Sequence, residues 1–92
     1  MSRNFSLEDI ALFNRCIFPA DFKLDLRAYG VEWYDASDIT SFLIRNPKAG
    51  IVGVYQEFIN DPKMVAILEQ MVYDFIHDKD TWIKKRYENR TE

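Results

Sequence analysis

Ninety-two residues, 48% apolar and 29% charged with a net charge of −3, make one domain able to bury a single modest core and exclude a generally disordered chain. A lone cysteine, Cys16, rules out an intrachain disulfide framework and fits a reducing compartment, so the expected location is cytoplasmic. No apolar run approaches the ~18 residues of a membrane span, and neither a signal-peptide core nor a lipidation motif is found, so no membrane association is expected.

The charge is uneven. Residues 79–92 hold five cations (Lys79, Lys84, Lys85, Arg86 and Arg90) against Asp80, Glu88 and Glu92, a balance of +2 that leaves −5 on the rest. The chain therefore reads as an acidic body, 1–92 in one helical domain, ending in a basic tail over 84–92. The body is too weakly acidic for a mimic of nucleic acid.

The first helix start is Ser6, whose hydroxyl, with Asp9 three residues on, can satisfy unpaired amide groups. Phe5 and Ile10 fit the accompanying apolar staple. Ile10, Phe13 and Ile17, with Leu7, Ala11 and Phe18, then recur at helical spacing until Pro19 stops the run. Cys16 falls inside this pattern and is expected to be a small buried hydrophobe rather than a nucleophile.

Residues 22–34, FKLDLRAYGVEWY, alternate apolar and polar, which argues for a strand or a hairpin turning near Gly30. A short helix closed by Gly30 competes, and helix or irregular structure is preferred because a lone hairpin is marginal. The next start is YDASDI, with Asp35 as cap, Asp38 three residues later, and Tyr34 and Ile39 as the staple. Ile39, Phe42 and Leu43 supply its buried face.

Two further starts echo each other: Asn46-Pro47-Lys48 and Asp61-Pro62-Lys63, each followed by an apolar run. PKAGIVG lacks the spacing of a phosphate-binding loop, and Ala49 and Gly53 suggest instead a close approach by another chain segment. A helix-turn-helix with 50–59 as the reading helix is disfavoured, because that segment offers Gln56, Glu57 and Asn60 but no cation. From Asp61 onward, Val65, Leu68, Val72, Phe75, Ile76, Lys79, Trp82 and Ile83 form one stripe. They predict a single helix over 62–87, about 38 Å long.

Chemistry is sparse along this stretch. Asp74, His77 and Asp78 share one side of a continuous helix, the geometry a metal pair needs, but that side lies opposite the apolar stripe. With no second histidine for a three-ligand site, His77 is expected on a solvated face. No metal, cofactor or catalytic residue is assigned, and no acyl-transfer set of the common kind can be assembled around one histidine. The tail, TWIKKRYENR, mixes cations with aromatic faces. Its Lys84, Lys85, Arg86, Tyr87 and Arg90 are the candidate contacts for a phosphate or an acidic partner. Cations at a helix C-terminus also complement the helix dipole, which is the preferred reading.

Seven Phe, five Tyr and two Trp are many for so small an interior. Ile44 and Ile67 fall off the expected buried sides. Tyr29, Glu32, Trp33, Tyr34, Asp35 and Asp38 cluster in one acidic, aromatic stretch, the kind of composition that protein-binding hot spots favour. The expected fold is all-α, four or five short helices packed on a long C-terminal helix, with α+β and a small hairpin at 22–34 as the alternative. The expected function is non-enzymatic: a protein-binding module, a small intracellular inhibitor or regulator of a larger protein complex. In physical character the chain is similar to small inhibitors and adaptors, phage-encoded ones among them. The alternatives are a nucleic-acid-binding protein acting through the basic C-terminal segment, and a homo-oligomeric structural protein such as a homodimer.

Overall fold

Six helices and their short connections account for residues 5–16 and 19–90, which the computed structural model describes, except for the side chains of Asn89 and Arg90. They are α1 (Leu7–Arg15), α2 (Pro19–Ala28), α3 (Trp33–Arg45), α4 (Gly50–Glu57), α5 (Pro62–His77) and α6 (Lys79–Arg90). The all-α expectation holds, and no strand occurs among the described residues. Ile17 and Phe18, taken as apolar positions of the first helix, lie outside them.

Capping chemistry explains the starts of α1 and α5. The Ser6 hydroxyl accepts the Asp9 amide at 3.0 Å, and Asp61 Oδ1 accepts the Met64 amide at 3.3 Å with Pro62 in the first turn. Two other starts differ from expectation. Helix α3 begins at Trp33 after Glu32, two residues before Asp35 would have capped it. Asn46 does not open α4 but closes α3, its Nδ2 donating to the Phe42 carbonyl at 2.9 Å. Helix α4 then begins at Gly50, where the Asn14 side chain of α1 accepts the Ile51 amide at 2.8 Å. Gly50 has φ +61°, and a Cβ there would strike Asn14. At Gly53 the neighbours are the Ala49 methyl and the Phe42 ring, so a side chain, not a second backbone, fills that gap.

The hairpin at 22–34 does not form. Residues 19–28 are helical, and Gly30 at φ +94° ends them with two crossed bonds, Val31 N to Leu26 O and Gly30 N to Arg27 O. That closure is the left-handed glycine cap, and buried Val31 and Leu26 are its apolar contact.

The long C-terminal helix is also corrected. Asp78 (φ −145°, ψ 61°) divides it into α5 and α6. Its carboxylate accepts the Thr81 hydroxyl at 2.7 Å and the Thr81 amide at 3.4 Å, so it starts α6 as its cap. The break turns α6 back against α2 and α5. The core runs from Phe13 through Phe22, Leu26, Ile39, Ile51, Leu68 and Val72 to Phe75 and Trp82. Phe13 meets Phe22 edge to face, and Phe75 links Phe13 to Trp82 at ring distances of 5.2 and 5.1 Å. The radius of gyration is 12.1 Å.

Candidate functional site

The glycine cap at Gly30 delivers the chain into α3 with its first two residues at the surface. Trp33 is 58% and Tyr34 75% exposed. Lys23 of α2 places its ammonium 3.6 Å from the centre of the Trp33 ring, over one face of the indole. Glu32 is exposed beside them, and Glu32 and Asp35 border a hollow of about 160 Å³ between the starts of α3 and α5. Val31, Met64 and Ile67 give it an apolar lining, with Asp61 and Lys63 also at its edge. Asp38, one turn on, is exposed and belongs to a different opening of about 520 Å³ between α3 and α4, shared with Phe42, Arg45 and Phe58.

Tyr29 is placed differently from its five neighbours. It is half-buried, and its hydroxyl donates to Asp74 Oδ2 at 2.7 Å. Gln70 donates to the other oxygen of Asp74 at 2.8 Å, and the Lys85 ammonium lies 4.2 Å from the Tyr29 ring centre. Burial, and then the hydrogen bond to the Asp74 carboxylate, push the Tyr29 hydroxyl far above its ordinary value. The phenol is a donor that ties the residue following α2 to α5.

A second tie joins α2 to α6. Arg86 Nε donates to Asp25 Oδ1 at 2.7 Å while Nη2 donates to Oδ2, a two-pronged ion pair with Asp25 only 3% exposed. Burial raises the Asp25 carboxyl above the ordinary carboxylate value against the opposing pull of Arg86. The guanidinium is in turn held charged by its hydrogen bonds to Asp25. Arg86 also lies over the buried Trp82 ring at 4.2 Å.

These contacts redistribute the candidate basic segment. Arg86 is engaged by Asp25, Lys85 covers Tyr29, and Lys84 stands 4.0 Å from exposed Glu88. Tyr87 is exposed, and the side chain of Arg90 lies outside the described residues. His77 is exposed, with its ring 4.9 Å from that of Tyr73. Asp74 and Asp78, which a continuous helix would set on the same side as His77, have other roles: Asp74 is buried and accepts from Tyr29, and Asp78 caps α6. Among the described residues no group of three His, Cys, Asp or Glu could hold a metal ion, and no helix is long and apolar enough to cross a membrane. Cys16 is half-buried against the core.

Asp25 and Asp74 were not picked out by sequence reasoning as structural anchors, although each carried a signal. At helical spacing Phe22, Asp25, Leu26 and Tyr29 share one face, as do Met71, Asp74 and Phe75. A carboxylate inside such an apolar face requires a buried partner. Compared with family models, curated proteins and solved structures, the chain matches none.

Proposed function

We propose that the chain is a non-enzymatic protein-binding module, a small inhibitor or regulator of a larger protein complex, that engages its partner through Trp33 and Tyr34. The observation that carries this reading is two adjacent large aromatic side chains, both mostly exposed, on the first turn of a helix whose other face is core. Such side chains bury much area at low entropic cost when a partner arrives. Glu32 and Asp35 supply a polar rim, and the neighbouring hollow can receive one partner side chain.

A nucleic-acid reading would need Lys84, Lys85, Arg86 and Arg90 to present their charges together beside the Tyr87 ring. Arg86 and Lys85 are instead committed to Asp25 and Tyr29, so that reading has less support. The test is affinity capture from a lysate of the source cells, with and without nuclease, at about 50 and 200 mM salt. A protein retained under all four conditions is expected. Retention that disappears with nuclease, or falls about tenfold or more between the two salts, would refute it.

A further inference from the structure

The outward face of α1 carries Leu7, Glu8, Ala11, Leu12 and Arg15, all exposed, while Phe13 behind them is buried. Leu7 is 88% and Leu12 46% exposed. Glu8, Ala11, Leu12 and Arg15 follow the three-and-four spacing of a single helix stripe and border a shallow hollow of about 320 Å³. Along that stripe the order is acid, small, large, base. Glu8 and Arg15 stand two turns apart, about 10 Å along the axis, too far to pair with each other. Neither has an ion-pair partner among the described residues.

We propose that this face is a two-fold interface between two copies of the chain, with α1 packed antiparallel to α1 of the partner. An axis through the midpoint of Ala11 and Leu12 sets Glu8 opposite the partner's Arg15, and Ala11 opposite the partner's Leu12. Both charge pairs are then attractive, and each leucine enters the space above the opposing alanine. The same surface serves on both sides, so the contact closes as a dimer. A parallel arrangement would set Glu8 on the partner's Glu8 and Arg15 on the partner's Arg15, two repulsive pairs. Of these two arrangements, charge and size are complementary in the antiparallel one alone. Nothing in this face belongs to the Trp33 and Tyr34 surface on α3, so the two readings stand independently.

A crossing of two nine-residue helices buries less than the ~1,200 Å² of a standard stable interface, so the dimer is weak and concentration-dependent. Sedimentation equilibrium of the full chain is expected to rise from the 10.9 kDa chain mass towards twice that value between about 10 μM and 1 mM. Glu8→Arg and Arg15→Glu each place like charges across the axis, and each is expected to remain at the single-chain mass over this range. An equimolar mixture of the two variants again opposes unlike charges and is expected to recover the dimer, with far-ultraviolet dichroism confirming that both stay helical. A wild-type mass constant to about 1 mM would overturn the proposal. So would dimers that persist in both single variants, or a mixture that stays monomeric.

Discussion

Asp25 and Arg86 sit sixty-one residues apart in sequence and close the molecule by two charge-assisted hydrogen bonds. Removing the guanidinium leaves a carboxylate buried without its counterion, so Arg86→Ala should cost about 2–4 kcal/mol in denaturant unfolding. Replacing both partners, as in Asp25→Leu with Arg86→Met, should recover most of that loss, because two apolar groups need no desolvation compensated. Tyr29 offers a pH-dependent counterpart. Its folded-state value is raised above the ordinary 10.0, so its contribution is fully present below pH 10 and is lost as the pH rises past that point. Ionisation would set a phenolate against the Asp74 carboxylate. Tyr29→Phe should therefore cost about 1–2 kcal/mol near neutrality. The stability gap between variant and wild type should narrow above pH 10, by at most about 1.4 kcal/mol per unit.

At the scale of elements, Asp78 decides whether the last third of the chain is one rod or two. Asp78→Ala removes the acceptor for the Thr81 amide and hydroxyl and should lower stability by about 1 kcal/mol, read from the urea midpoint at unchanged slope. Helix starts that depend only on neighbours in sequence, at Ser6 and Asp61, were legible in the sequence, whereas Gly30 fitted both a hairpin turn and a helix terminator and proved to be the second. Others were ambiguous because one motif fits two roles. Asn46 precedes a proline as an opener would, yet closes the helix before it. The apolar stripe continues past Asp78 at the right period, and only the Asp-x-x-Thr spacing marks the cap that interrupts it. The alternation in 22–28 also satisfies a helix, since Phe22, Asp25 and Leu26 share a face. Tyr29 and Arg86 were legible as polar aromatics and cations but not as anchors. Their partners, Asp74 and Asp25, lie 45 and 61 residues away, beyond any local pattern.

Taken whole, the molecule uses long-range polar ties to hold α2, α5 and α6 together around an aromatic core, and leaves Trp33 and Tyr34 outside it. That division makes the proposed binding surface separable from the fold: Trp33 is no part of the hydrophobic core, so truncating it leaves the core packing in place. The most direct measurement is quantitative capture from source-cell lysate on immobilised wild type and on Trp33→Ala, with the variant's thermal midpoint checked in parallel. The account predicts an unchanged fold and a protein partner held at least ~30-fold more weakly by the variant, the equivalent of about 2 kcal/mol. Equal retention of the same proteins by both chains would contradict it.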